Sequence, residues 1–510
     1  MIPRFLSAGR AIVATLLLVL LPATGARSQD LDTALIVAAF HAAHGDALVW
    51  AEDRTPPTLN VRGQAVAQAL HDAAREGLSP DDYVVPETAT PRHLDRAITA
   101  ALINYLVDLQ AGRVAPQRVD PDLFVFRRDV DAQALLETVA AASDPVRTIS
   151  DLAPANPIYR RLRRLLAEYR TVEGAGGWNA VAVGDTLKPG MTDPRVGAVR
   201  RRLAATRDLT LPEQPTDSYD PTLEIAVRAF QRRHGLTPDG AIGKRTIAAL
   251  NVTVEERIRQ IILNMERFRW IPDDLGDDHV FVNLAGFVLD YVRKGSTALT
   301  MRVIVGRQYR ETPTFSDRIR YLEFNPTWTV PPKIAIEDLL PKIRKDPHYL
   351  AAGDYEVFRG WQDTSAKLDP ASIDWSTVGK GHFPYRLRQR PGKKNALGQV
   401  KFMFPNQFDV YLHDTPARNL FHRPVRTFSS GCIRLEKPLA LAEALLQADG
   451  QNPDRVATIL ESEETTRVNL AKPVPVHLAY LTAWIGEGGT VEFRDDVYGR
   501  DALLANALGL

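Results

Sequence analysis

The stretch NQFDVYLHDTPARNLFHRPVRTFSSGCIRLEKP, residues 406–438, holds Cys432, the only cysteine of a 510-residue chain. Its first third reads as a strand. Phe408, Val410 and Leu412 alternate with Asp409, Tyr411 and His413, so one face is apolar and the other carries chemistry. His413 leaves that strand on its polar side. A basic, loop-like segment, PARNLFHRPVRTF, then leads to Ser429-Ser430-Gly431-Cys432, small polar residues suited to a turn. A lone cysteine is most often a small buried hydrophobe. A cysteine in a turn, with a loop able to bring it back beside a histidine, is the other reading: a nucleophile with its base. On local grounds both stay open.

Outward from this stretch the chain reads as strands from His279 onward. HVFVNLAGFVLDYV (279–292), ALTMRVIVG (298–306) and IRYLEFNPTWTVPP (319–332) have the alternation and β-branched content of a β-rich domain, expected over 278–505. Lys333 to about Leu387 interrupts it for longer than an ordinary connection, which predicts an inserted subdomain or lid. Trp328, between Asn325 and two prolines, stands at that junction. It fits either a rim residue that meets substrate or a plug between insertion and sheet.

The preceding chain is helical. Over 31–171, segments such as AVAQALHDAAREGL (65–78) and LDRAITAALINYLVDLQAGR (94–113) repeat apolar residues at three and four, which predicts a helical scaffold. His41, His44, His71 and His93 lie here; without a completing ligand set they read as surface or packing residues. Over 185–252 three short helices are expected, with Phe230, Leu236 and Ile242 as core and Arg200, Arg201 and Arg202 as a solvated face.

With 63 basic and 62 acidic residues there is no global basic field, and nucleic acid is disfavoured as a partner. At the N-terminus Arg4 and Arg10 precede the apolar run Ala11 to Leu21, followed by small residues at Thr24 and Ala26. That pattern predicts a signal peptide over 1–26, with a retained anchor as the alternative, and export to the periplasm. An oxidising compartment makes an unpaired cysteine the more notable.

AFQRRHGLTPDGAIGKRTIAALN (229–251) resembles the peptidoglycan-binding domain of the PGBD-like family. YLHDTPARNLFHRPVRTFSSGCIRLEKP (411–438) resembles the active-site segment of L,D-transpeptidases with a YkuD-type catalytic domain. NPTWTVPP (325–332) and RPGKKNALGQVKFMFPN (390–406) are similar to the large YcbB-like branch of that family. One departure is visible: the frequent Ser-His-Gly-Cys is here Ser-Ser-Gly-Cys, so Ser430 stands where a second histidine often does. The fold class implied is multidomain α+β, with a helical scaffold, a three-helix peptidoglycan-binding domain and a β-rich catalytic domain carrying a lid.

The resemblance implies a thioester mechanism on peptidoglycan tetrapeptide stems. Cys432 attacks the amide before the terminal D-alanine, His413 serves as base and acid, and a carbonyl next to the histidine, that of Asp414, holds its other nitrogen. Successive backbone N–H groups of Ser430, Gly431 and Cys432 are the expected oxyanion donors. Tyr411 lines the cleft or merely packs; Arg434 pairs with a peptide carboxylate or with a structural partner. An amine of a second stem as acceptor gives a 3-3 cross-link. Water gives an L,D-carboxypeptidase, and an envelope protein gives attachment or release. No metal or organic cofactor is implied, and carbapenems are the implied covalent inhibitors. The contrasting reading is a non-catalytic scaffold that binds cell wall.

Overall fold

The computed structural model describes residues 33–211, 216–362, 364–379, 381 and 383–510. The expected signal segment lies outside the described residues. Among the described residues no helix is long and apolar enough to cross a membrane.

Among the described residues of 279–479, thirteen strands build two sheets: β1 (His279–Asn283), β2 (Val288–Arg293), β3 (Ser296–Gly306), β4 (Phe315–Phe324), β5 (Trp328–Thr329), β6 (Tyr355–Arg359), β7 (Lys367–Leu368), β8 (Tyr385–Gln389), β9 (Val400–Met403), β10 (Leu412–His413), β11 (Thr427–Ser429), β12 (Ile433–Leu435) and β13 (Thr466–Ala479). Nine of them form one sheet in the order β11-β3-β12-β10-β9-β4-β13-β1-β2, and β2 pairs back onto β3. All but β11 therefore close into a ring, which leaves no long unpaired edge. Inside it Val280, Val282, Leu289, Val303, Leu322, Phe324, Phe402, Leu412, Ile433 and Leu435 are fully buried. The helix Pro438–Ala448 adds Leu441, Ala442 and Leu445 to this core. Burying each such side chain contributes roughly 1.5–3 kcal/mol.

The strand expected before His413 is shorter than its alternation suggests, because β10 is only Leu412–His413. The Asn406 side chain explains the difference. It accepts from the N–H groups of Phe408 and Val410 and donates to the carbonyls of Phe404 and Val410, folding the chain into a turn. Asp409, at φ 53°, completes that turn.

Between β4 and β9 the chain leaves the ring and builds a second sheet, in the order β5-β8-β6-β7. It has a core of its own, with Val330, Ala335, Leu339, Ile343, Leu350, Val357 and Leu387. Trp328 is partly buried against this cluster, its ring 6.4 Å from that of Tyr355.

The N-terminal helices do not stand apart from the sheet. The helix Val254–Trp270 opens with a capping box of Thr253 and Glu256 and is buried along most of its length. It packs with scaffold residues such as Leu102, Leu106 and Leu166, and the same cluster takes in Ala479, Leu481, Ala483, Ile485 and Phe493 from the end of the chain. Two of its buried arginines are paired with carboxylates, Arg269 with Glu266 at 3.0 Å and Arg267 with Asp501, while buried Arg257 donates to Gln260 Oε1 at 2.7 Å and to the Ala249 carbonyl at 3.3 Å. Leu123 bridges to Thr314, the Phe124 N–H donates to the Thr314 carbonyl at 2.8 Å, and the Phe124 ring lies 4.2 Å from Phe408. His41 is buried beside Asp95 and Thr99, as a packing residue.

The helices Arg195–Ala205, Pro221–Arg233 and Lys244–Asn251 pack Val199, Leu203, Leu223, Val227, Phe230 and Ile242 into one small core. Arg200–Arg202 is not a solvated face. Arg200 is buried and pairs with Asp220 at 2.7 Å; Arg202 is buried, donates to the Leu250 carbonyl at 2.6 Å and lies 3.8 Å from the Trp178 ring. Only Arg201 is exposed. Period alone hid this, because a guanidinium can stack on an aromatic ring and satisfy carbonyls inside an interface.

Candidate active site

The parallel pairing of β10 with β12 sets Leu412 against Ile433 and His413 against Arg434. Side chains alternate across a strand, so Leu412, Ile433 and Leu435 enter the core while Tyr411, His413, Cys432 and Arg434 share the opposite face. Lys401 joins them from β9, opposite His413.

His413 is 4% exposed and its Nδ1 is hydrogen-bonded to the Asp414 carbonyl at 2.5 Å. With Nδ1–H as the donor, Nε2 carries the free lone pair. Burial, the nearby Arg434 cation and Lys401 push the imidazole down to about 3, against the opposing Asp414 bond. It is therefore neutral at ordinary pH. The Asp414 carboxylate turns elsewhere, accepting the Gln399 N–H at 2.9 Å and Arg418 at 3.2 Å.

Cys432 is a free, partly exposed thiol. It lies 3.6 Å from the Asp409 carbonyl, to which it donates. Burial pushes the thiol up to about 11, opposed by the Tyr411 N–H, the Arg434 cation and the Tyr411 hydroxyl. Among the described residues no hydrogen bond joins Cys432 to His413; the resting thiol is engaged by the Asp409–Tyr411 turn instead. The ring of Tyr411 lies 5.7 Å from that of His413, edge-on. Burial raises the Tyr411 hydroxyl well above its usual range, as does the adjacent sulfur. Tyr411 thus packs against the His413 ring and is electrostatically coupled to the thiol.

Gly431 has φ 116°, a conformation that favours glycine, and this bends the chain between Ser430 and Cys432. Its own N–H donates to Ser429 Oγ at 3.2 Å, so this amide is occupied in the resting structure. The Gly431 carbonyl accepts from Thr312 Oγ1 at 2.8 Å. Arg434 makes no ion pair among the described residues, and its Nε is buried without a partner. Its nearest strong electrostatic neighbours are Arg307 and Cys432. The structural-partner reading of Arg434 thus finds no carboxylate.

Trp328 belongs to the core of the insertion, through β5 and the Tyr355 contact. Trp328→Ala is expected to loosen that subdomain by about 1–3 kcal/mol, less than the 3–5 typical of a fully buried tryptophan. Hydrogen exchange across 328–389 should quicken before the reactivity of Cys432 changes. Unchanged exchange together with slowed reaction of the thiol would return Trp328 to the cleft.

Thr312 and Arg307 entered no sequence-based reading, and Ser429 entered only as one of the small polar residues of a turn. The signal available was weak, since a threonine in RQYRETPTF and the first serine of a Ser-Ser pair are ordinary turn residues.

Residues 277–470 match the profile of the L,D-transpeptidase catalytic domain, YkuD. Residues 36–166 match a scaffold domain, and residues 192–250 a "Putative peptidoglycan binding domain". A curated protein of Haemophilus influenzae described as a "Putative L,D-transpeptidase" is 39% identical over 271 residues, 52% of this chain and 54% of that protein. The match thus spans about half the length of that relative. An L,D-transpeptidase (Yku) structure from Stackebrandtia nassauensis is 16% identical, covering 59% of this chain and 96% of its own, at a TM-score of 0.22. One from Xylanimonas cellulosilytica is 14% identical, covering 58% and 98%, at 0.18. Scores this low carry no argument. The three profile matches follow one another along the chain, which therefore carries a YkuD-type L,D-transpeptidase catalytic domain preceded by a peptidoglycan-binding domain and a scaffold domain.

Proposed function

We propose that the protein is a cysteine-dependent L,D-transpeptidase of the bacterial envelope that acts on peptidoglycan tetrapeptide stems. The observation that carries the reading is the shared face of β10 and β12, where the chain's one thiol, a neutral imidazole oriented by a backbone carbonyl, and an unpaired guanidinium converge. In the first step the Cys432 sulfur attacks the amide carbonyl before the terminal D-alanine. The thiol proton passes to His413 Nε2 and on to the departing amine, so D-alanine leaves and an acyl thioester remains. In the second step an amine of another stem attacks the thioester, forms the new amide and returns the proton to sulfur. The product is a 3-3 cross-link; water or an envelope-protein amine would enter by the same step.

The resting thiol has to turn from the Asp409 carbonyl toward His413 for this to occur, and catalytic hydrogen bonds commonly tighten only once substrate is bound. The oxyanion is placed at the Cys432 turn. Because the Gly431 amide is held by Ser429, the donors proposed are the N–H groups of Cys432 and Ser430, oriented by the bend at Gly431. Arg434, beside Arg307, suits a carboxylate of the donor stem. Arg434→Met should raise the half-saturating stem concentration by about tenfold or more, since a hydrogen bond to a charged group is worth about 1.5–3 kcal/mol. An unchanged value would remove Arg434 from substrate binding.

Exposure to a carbapenem followed by intact-mass measurement tests the reading. One covalent adduct, mapped to Cys432, is expected. An unmodified protein under conditions that acylate a known L,D-transpeptidase would favour the alternative, a wall-binding scaffold built on the peptidoglycan-binding domain.

A further inference from the structure

The turn before Cys432 is held by one short segment, the connection between β3 and β4. The Arg307 N–H donates to the Ser429 carbonyl at 3.1 Å, Arg310 Nη1 donates to Ser430 Oγ at 2.7 Å, and Thr312 Oγ1 donates to the Gly431 carbonyl at 2.8 Å. Each of the three residues preceding the thiol thus has one tie to residues 307–312. Two of these ties are local. The third is not, because the Arg310 guanidinium also holds the insertion.

Arg310 Nη1 lies 2.6 Å from Asp338 Oδ2, and Nη2 lies 2.5 Å from Glu337 Oε2 and 3.3 Å from Asp338 Oδ1. Asp338 and Glu337 sit in the first helical stretch of the insertion, on a wide turn over Ala335–Leu339. The Arg310 side chain is 6% exposed, so its charge is screened far less than a surface ion pair's would be. Its planar fork fixes the angle between carboxylates and hydroxyl, whereas a lysine at the same place would offer a point charge. Tyr309, exposed beside it, lies with its ring 5.6 Å from the guanidinium.

We propose that Arg310 is a positioning residue for the reaction at Cys432, holding Ser430 and the amides around it in register only while Glu337 and Asp338 of the insertion are docked on it. The insertion is then part of the reaction machinery through one guanidinium, and its movement is read at the thiol turn. Release of the two carboxylates leaves Arg310 a desolvated cation with a single neutral acceptor, Ser430 Oγ. Such a cation draws in water or a carboxylate and no longer fixes the turn. This inference rests on the function proposed above, and deepens it.

A brace that merely fastens the insertion would show the same contacts, so the test separates the two roles. The rate of carbapenem acylation at Cys432 is measured by intact mass against inhibitor concentration in the parent and in Arg310→Gln, Arg310→Lys, Ser430→Ala, and Arg310→Gln combined with Ser430→Ala. A second set, Glu337→Gln with Asp338→Asn, leaves Arg310 in place and guards against misfolding of the first. Arg310→Gln should lower the maximal acylation rate about tenfold to a hundredfold with little change in half-saturating concentration, as a misplacement of about 1 Å does. Arg310→Lys should recover part of that loss. The double variant should be no slower than the slower single one, because both act through the same hydroxyl. The carboxylate pair should slow acylation in the same manner.

Additive losses in the double variant, or a change confined to half-saturating concentration, would overturn the inference. So would parent rates in the Arg310→Gln and carboxylate variants. If the parent itself takes no adduct, the reading of Cys432 fails first, an outcome distinct from variants that react like a reactive parent.

Discussion

Cys432→Ala is expected to abolish both carbapenem adduct and release of D-alanine from tetrapeptide stems, to below detection. No second thiol exists in the chain to substitute for it. The fold should tolerate the change, because the sulfur lies at the partly exposed end of the turn and the ring core is built from neighbouring strands. A thermal transition within a few degrees of the parent, with no product by mass, is the expected pair of results. Residual D-alanine release by the variant would move the chemistry to another nucleophile.

His413→Ala is expected to slow acylation about 10²- to 10⁴-fold at neutral pH, the range typical of general-base help. The sharper expectation concerns pH. In the parent the imidazole is neutral above about 3 and the thiol protonated up to about 11, both through burial in the first place. Proton transfer between neutral partners inside the site makes the acylation rate nearly flat from about pH 5 to 9. Without the imidazole only the thiolate reacts, and its fraction rises about tenfold per pH unit below the thiol's own value. The logarithm of the variant's rate should therefore climb with a slope near one, so the deficit against the parent shrinks as pH rises. Parallel profiles for parent and variant would mean that His413 does not take the proton. His422, in the intervening loop, would then be the histidine to replace.

The features readable from sequence were those that depend on local spacing. The alternation around Val410 and Leu412 separates the core face from the polar face, and the sole cysteine in a glycine turn marks the other half of the site. The bend at Gly431 follows from the same logic, since φ 116° favours a residue without Cβ. Long-range pairing was not readable. The hairpin of β2 and β3 across Lys294-Gly295 is local, but nothing in the segments of β3 and β12 announces that Ile304 pairs with Arg434, because that register spans more than a hundred intervening residues.

Buried charge was the other blind spot. Arg202, Arg269 and Arg310 look in sequence like solvated residues, yet each is buried against an aromatic ring or a carboxylate supplied from elsewhere in the chain. The helix Val254–Trp270 falls between regions that sequence separates, although its capping box was in view; its role as the shared wall of scaffold and sheet appears only in the packing. Sequence also gave no hint that the Gly431 amide is already engaged by Ser429 or that the resting thiol points to Asp409, since both depend on side-chain rotamers.

The most direct measurement is the mass of the protein itself after brief mixing with purified tetrapeptide stem, without acceptor, followed by an acid quench. The account predicts a gain equal to the tripeptide acyl group on Cys432, with one D-alanine released for each modified protein, and decay of that mass as an added stem amine forms a cross-linked product. Release of D-alanine at every quench time with the protein mass unchanged, while the same preparation reacts with a carbapenem, would contradict the thioester and with it the mechanism.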